Sequence, residues 1–549
     1  MSRDGTFLVV GSGPSAAMVA LTLSERPDHR VTVLDLGGRL EDDHERARVR
    51  LATRSQPEWE PADVALVTER AARNGRGRRG GPGGHGGHGP VPQKRAYGSD
   101  YPFQDLGQGA GIRGSTRGTD DVVSSAYGGF STVWGAQVMP FSRSTFERWP
   151  ISWQDMEPHY RAVLDELPLA GEPDDLAELF PLLNPRSDLP PLGSRAVAVL
   201  RRYERHRRGL RAIGVTVGRA RLAFRAPACT RCGLCMTGCP QSLIYSAAQT
   251  MDRVRRRPNV AVHGSLLVER IGQQEGEAVA WCRDVRTGQR HEFRADRLFV
   301  GAGGMGSTRL VLASMASPPR SIDVAETAQF VLPFLSAHPV PASPAPGSHD
   351  FTLNQFNVLL QFDHEGYTTS QVHFYPYNPA ILDALPAPLR AHWAASATDQ
   401  VVRRLTVAFG YLPSWASPSI RATVRPGSTN GLPALDLVRS EESPALLGPA
   451  LRRLLRAAPS LDLWPLLSHA SLSGPGKSYH FGSSFPHRHR TAPATAPSTD
   501  RWGRLPDWTR IHVVDGTVLP SLASTTFTFT VMANAHRIAE AVSRGLDLV

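Results

Sequence analysis

Phe7-Leu8-Val9-Val10-Gly11-Ser12-Gly13-Pro14-Ser15-Ala16 is the stretch that decides the fold. Its four leading residues form an apolar, β-rich run of the kind that becomes a buried parallel strand. The next six carry the Gly-x-Gly-x-x-Ala form of a dinucleotide fingerprint. Gly11 permits a tight turn, Gly13 lets the backbone approach a pyrophosphate, and Ala16 keeps the following helix close to the sheet. Ser15 lies in the first turn of that helix, whose N-terminus offers free N–H groups and a positive dipole end to phosphates. A second strand, Val31-Thr32-Val33-Leu34, ends at Asp35, where an acidic residue is expected to bind a ribose hydroxyl. Strand, turn, helix, strand and acid stand in the required order. A phosphate-free α/β turn is the bland alternative, and the motif alone does not separate FAD from NAD.

Working outward, 549 residues are too many for one compact core, so two connected domains are expected. The composition, 41% hydrophobic and 20% charged, suits a globular enzyme. No apolar run approaches the ~20 residues needed to span a bilayer. The chain passes from Met1 into the first strand within a few residues, leaving no room for a signal peptide, and it has no twin-arginine leader. A cytoplasmic location is the expectation. The net charge is +11. Arg201-Arg202, Arg207-Arg208 and Arg255-Arg256-Arg257 read as solvated faces, because no aromatic–basic module accompanies them, and no nucleic-acid partner is expected.

Residues 73–89, rich in glycine and arginine and containing His85 and His88, lack the apolar content to order themselves and read as a loop. Tyr127-Gly128-Gly129-Phe130-Ser131-Thr132-Val133-Trp134-Gly135 gathers small residues around one indole, as suits backbone lying against a planar ligand. Trp149-Pro150-Ile151-Ser152-Trp153 leads into a helix containing Glu157, Tyr160 and Leu164. Arg297-Leu298-Phe299-Val300, the turn Gly301-Ala302-Gly303-Gly304 and a helix over 307–313 repeat the strand–glycine–helix logic of the N-terminus. Between 320 and 470, aromatic strands (residues 371–375 and 405–409) and an amphipathic helix near Leu451 to Leu455 suggest a separate sheet facing the substrate. The fold class is therefore α/β: a Rossmann-like cofactor domain with a second, α+β domain on a mainly antiparallel sheet. Its segments are expected at 1–50 (cofactor domain), 51–115 (Gly/Arg-rich insertion), 116–150 (cofactor contact), 151–220 (substrate domain), 221–319 (cofactor domain with cysteines), 320–470 (substrate domain) and 471–549 (closing segment).

These landmarks resemble the glucose–methanol–choline oxidoreductases. The blocks that carry the resemblance are the opening fingerprint, residues 128–135 and 149–152, and the C-terminal Val513-Val514-Asp515-Gly516-Thr517-Val518-Leu519-Pro520 with residues 530–539. They cover both ends and much of 120–310, but not 70–95 or 320–470. The resemblance implies FAD rather than NAD, contacted by Gly129, Ser131, Val133, Trp134, Gly135, Ala302, Gly303, Asp515, Gly516 and Phe527 in addition to Gly11, Gly13, Ser15, Ala16 and Asp35. Residues 131–134 look closest to pyranose oxidases, whose Ser-Thr-His-Trp tethers the flavin through histidine. Val133 stands at that position and cannot form the bond, so non-covalent FAD is expected.

The family places a histidine base shortly before its C-terminal block, and the matching position is His480, with His487 as competitor. The second catalytic group of the family, an asparagine or histidine, is replaced by Thr526, which can exchange one hydrogen bond but cannot act as a base. Asn534 and His536 read as packing or flavin-supporting residues. The expected reaction is oxidation of a CH–OH group of a sugar, polyol or related natural product, by hydride transfer to flavin N5. The alternatives are an electron-transfer or binding flavoprotein and an NAD-dependent dehydrogenase.

Four of the five cysteines fall in Cys229-x2-Cys232-x2-Cys235-x3-Cys239-Pro240. That is the bacterial ferredoxin spacing for iron–sulfur ligation. With only one copy of the motif, a 3Fe–4S or 4Fe–4S cluster would use three of these thiolates with Cys239, Cys282 or no fourth ligand. Inert thiols and a zinc site are the other readings, zinc being cramped in so short a run. Without a cluster, molecular oxygen or a quinone would be the acceptor, whereas a cluster would make the enzyme a dehydrogenase handing electrons to a carrier protein. That reading is preferred over an oxidase.

Overall fold

The computed structural model describes residues 5–68, 95–107, 112–114, 122–340, 351–363, 368–376, 404–429, 431–440, 444–474, 476, 478–488 and 497–548. The expected Gly/Arg-rich loop at 73–89 lies outside them. A parallel sheet runs in the order Ile511–Val513, Arg297–Val300, Gly5–Val10, His29–Leu34, Val260–His263. Gly5–Val10 occupies its centre because Phe7, Leu8, Val9 and Val10 give it apolar side chains on both faces, all of them buried. The helix Pro14–Ser24 begins with proline at its first position, where the missing N–H costs nothing. Beside it lies the C-terminal helix Thr528–Ser543, buried around most of its circumference and packed in turn on Trp153–Glu166.

A second, antiparallel sheet supplies the other domain. Its central strands are Phe356–Phe362, Thr368–Tyr375 and Leu405–Tyr411, flanked by Val215–Arg219 on one side and Gln329–Leu335 on the other. Alternation divides its two faces. Val358, Leu360, Val372 and Phe374 point into an apolar core shared with the helices Ser194–Ala212 and Leu447–Leu461. Asn357, Gln371, His373 and Tyr411 point the other way, buried although polar. A third, mixed sheet places Phe481–Gly482 against Ser321–Glu326 and so fixes the segment that follows His480.

The α/β class with an antiparallel second sheet agrees with expectation. Some segments sit elsewhere than the sequence suggested. Residues 153–166, grouped with the substrate domain, pack in the cofactor layer against the C-terminal helix, while the helix Ser194–Ala212 packs on the antiparallel sheet and Val215–Arg219 pairs within it. Residues 51–68 belong to the helices Asp42–Thr53 and Pro61–Thr68 and the short turn between them, not to a loop. No described helix is long and apolar enough to cross a membrane.

Candidate active site

Three glycine turns meet at the C-terminal ends of the parallel strands. Gly11 has φ +100°, and a Cβ there would lie 2.5 Å from the Gly301 carbonyl oxygen, so the first and second turns touch backbone to backbone. Ala16 and Ser15 close over the same contact, since a Cβ on Gly301 would meet both at 3.0 Å. The Gly128 N–H donates to Ser12 Oγ (2.9 Å), and a Cβ on Gly129 would sit 3.3 Å from the Gly13 Cα. Ser131 Oγ donates to the Gly128 carbonyl (2.6 Å) and accepts from the Ala247 N–H (2.8 Å), locking this third turn to the next helix. Trp134 donates its indole N–H to the Tyr245 carbonyl at 2.7 Å. Gly135 faces the Tyr375 hydroxyl, and Val133 packs with Ala96, Tyr101 and Ala126.

Around this convergence space remains at chosen points. A Cβ on Gly13 or on Gly303 would meet nothing within 4 Å. Asp35, buried at the end of its strand, accepts from the Gly37 N–H at 2.7 Å, and burial pushes its carboxyl up to about 6. Asp515 is likewise buried. It accepts from Ser307 Oγ (2.5 Å) and from the Thr517 hydroxyl (2.8 Å), while Ser307 also accepts from the Ala302 N–H (3.0 Å). The second turn and the C-terminal block are thereby tied together across two hundred residues of chain.

His480 leads into the segment that crosses the Gly516 end of that tie. Gly482 crosses so closely over Gly516 that a Cβ would lie 2.2 Å from its carbonyl oxygen, and the Phe527 ring covers Gly516. The His480 ring is perpendicular to Phe527 (centroids 5.2 Å, 82°) and lies against Tyr411 (5.1 Å). Its turn is pinned by Glu326, which is 1% exposed and accepts from the Gly476 N–H (2.6 Å) and Ser478 Oγ (3.3 Å). Burial pushes Glu326 up to about 7. His480 Nδ1 is shut away from solvent without a hydrogen-bond partner among the described residues, and burial lowers this histidine to about 4. His487 is differently placed. Its Nδ1 meets the Asp500 carbonyl at 2.6 Å and its Nε2 meets Asn534 Nδ2 at 3.1 Å, so both ring nitrogens are engaged. Asn534 also accepts from Arg537 (2.8 Å), which makes that trio a packing network.

Thr526 is 9% exposed and donates its hydroxyl to the Gln137 carbonyl at 2.7 Å, which leaves only its acceptor capacity for a ligand. Sequence reasoning missed the group opposite. His373, on the polar face of the antiparallel sheet, lies 5.0 Å from the Tyr411 ring, whose other neighbour is His480. Burial lowers His373 to about 3. Buried polar atoms without partners among the described residues gather nearby: Gln137 Nε2, Asn354 Oδ1, Asn357 Nδ2, Gln371 Oε1 and His373 Nε2. Native structures rarely leave so many buried groups unpaired unless a ligand or water satisfies them. Alternating polar residues such as Gln371 and His373 were the available signal, but the same alternation describes a solvent-facing strand.

The cysteine motif does not form the expected centre. Cys229, Cys232, Cys235 and Cys239 are free, and no three of the described cysteines bring their sulfurs within 4.8 Å of one another. The iron–sulfur cluster is thus unsupported. Cys235 and Cys239 instead pack in the apolar core as small hydrophobes, Cys282 is buried in a separate strand, and burial pushes Cys239 up to about 12 and Cys232 to about 11.

No family model matches the sequence, and no curated relative matches it. Among solved structures, pyridoxine 4-oxidase from Mesorbium loti superposes with a TM-score of 0.57 at 15% identity, covering 97% of this chain and 98% of that one. The chain has the glucose–methanol–choline oxidoreductase fold. At that identity the likeness is one of fold. Covering 97% of the chain, it extends over the antiparallel sheet as well as the cofactor layer, including the described strands of that sheet, where the sequence offered no motif.

Proposed function

We propose that the protein is an FAD-dependent oxidoreductase that converts a CH–OH group of a polyhydroxylated substrate to a carbonyl, with His480 as the base. The observation that carries this reading is His480 Nδ1: buried, unpartnered among the described residues, on a ring that packs against Phe527, which covers Gly516 beside Asp515. The residues present fit FAD. Gly11, Gly13 and the free N–H groups of Pro14–Ser24 would take the pyrophosphate, and Gly13 leaves the room a backbone approach requires. Asp35 would take a ribose hydroxyl, while Gly129, Gly303, Asp515 and Gly516 would line the flavin. When bound, FAD supplies the two-electron acceptor for the hydride that leaves carbon. His480 takes the hydroxyl proton at Nδ1 in the tautomer that carries its own proton on Nε2, and burial keeps the ring neutral at pH 7. Thr526 offers a hydroxyl oxygen as acceptor, and His373 a second ring nitrogen from the opposite wall.

Substrate class follows from that wall. Gln137 and Asn357 present unused amide donors, Asn354 and Gln371 unused carbonyl acceptors, with the amide orientations assigned from their other hydrogen bonds. Hydroxyl groups both give and accept, so a sugar or polyol satisfies such a mixed set where a sterol would leave it unpaired. The structural neighbour is an oxidase, which favours oxygen as acceptor. The case for a carrier-linked dehydrogenase rested on the cysteine motif and loses that support. Purified protein reconstituted with FAD should show flavin absorbance released by acid. A panel of sugars and polyols should bleach it anaerobically. Protein without flavin bands after reconstitution would sink the proposal, and bleaching by sterols but not polyols would overturn the substrate class.

A further inference from the structure

Outside the active site, the helices Trp153–Glu166 and Thr528–Ser543 bring together three groups with ligand chemistry. His536 and Glu540 stand one turn apart on the C-terminal helix and therefore share a face. His159 reaches them from the other helix. His159 Nδ1 lies 2.9 Å from His536 Nδ1 and 3.6 Å from Glu540 Oε2, and one donor atom of each residue falls within 4.8 Å of the others. It is the one such group of His, Cys, Asp and Glu among the described residues.

We propose that His159, His536 and Glu540 form a binding site for a divalent transition-metal ion of the zinc type. Donors bound at ~2.0–2.2 Å in a tetrahedron lie about 3.3 Å apart, and the two observed separations bracket that value. Two imidazoles and one carboxylate suit zinc rather than magnesium or calcium, which prefer oxygen donors. Glu540 is already oriented for the task. Its Oε1 is held by Arg544 at 2.6 Å, which turns Oε2 toward the rings and serves as an outer-shell partner. The Glu540 side chain is 31% exposed, so water can reach a fourth position. Burial and the facing His536 hold His159 down to about 3, and burial lowers His536, so both rings keep their lone pairs at neutral pH. Arg537 and Arg544 oppose the ion through their charge, and Asp155 offsets them in part. The ion would add a bridge between two helices already joined by packing and by the Tyr160–Thr530 hydroxyl contact (2.7 Å), and would raise the unfolding temperature of the holoenzyme.

The test starts from purified holoenzyme stripped with chelator, titrated with zinc, passed over a desalting column and assayed for retained metal. About one ion per chain is expected, with a higher unfolding temperature. His536→Gln and Glu540→Gln should each weaken binding at least tenfold. Glu540→Gln lies on the solvent side, and an unfolding temperature of its metal-free form equal to that of the parent confirms an intact fold. Cobalt in place of zinc should give visible bands of a nitrogen–oxygen site. No retained metal, or retention unchanged in both variants, would overturn the proposal. So would intense near-ultraviolet thiolate bands on cobalt loading, because they would move the site to the cysteines.

Discussion

At the scale of single residues, the strongest expectation concerns His480. Replacing it by alanine removes the base without touching the glycine turns, so the flavin spectrum should persist. Flavin reduction measured by stopped flow should fall by about 10²–10⁴. A rate within a few-fold of the parent would reassign the base, with His373 the next candidate. His373→Asn keeps a hydrogen-bonding group and should slow reduction less. The pH profile provides a separate readout. An ordinary histidine near 6.5 would lose activity on mild acidification. Burial lowers His480 to about 4, so the ring stays neutral down to that pH. The acid limb of kcat/KM should therefore fall near pH 4, and a limb at 6.5 would show that the ring is solvated during catalysis.

At the scale of elements, two glycines separated by a single residue make opposite predictions. Gly11→Ala forces a side chain into a positive φ and against the Gly301 carbonyl at 2.5 Å, so the substitution should destabilise the fold by about 1–3 kcal/mol. Gly13→Val meets open space in the protein, so folding should survive while FAD affinity drops sharply; thermal unfolding with and without added FAD separates the two. If Gly13→Val bound FAD normally, the pyrophosphate assignment would be wrong. These turns were legible in the sequence because an apolar run ending in glycine has few other uses. His373 was not, because a buried wall facing a ligand and a wet strand face share one alternation. Nor could the sequence place residues 153–166: their apolar stripe announces a helix that packs, but the partner, Thr528–Ser543, lies more than 350 positions away. The cysteine spacing was the converse case, a strong pattern of which two side chains, Cys235 and Cys239, turned into the core while Cys229 and Cys232 stayed half-buried.

At the scale of the whole molecule, buried titratable groups set the response to acid. His159, His373 and His487 are held down to about 3 and His480 to about 4, and burial lowers His512 as well. Each stays neutral in the folded chain at pH 5 yet is protonated in the unfolded chain, whose histidines titrate near 6.5. Asp35 and Glu326 act in the other direction. Burial raises them to about 6 and about 7, so at pH 5 they hold protons in the folded chain that the unfolded chain has released. His29 and His536 join the lowered histidines, and Glu25, Asp174 and Asp515 the raised carboxyls. With histidines in the majority the unfolded state binds more protons, so stability is lost as the pH drops. Stability should therefore be greatest above pH 6.5, fall from there toward pH 4, and go on falling as the lowest histidines charge. Denaturant midpoints at pH 7, 6 and 5 should decline progressively, and Glu326→Gln, which removes one opposing proton, should steepen the decline. Midpoints that stay level from pH 7 to 5 would mean that these histidines reach water in the folded protein, which would also remove the basis for a neutral, sequestered base at His480.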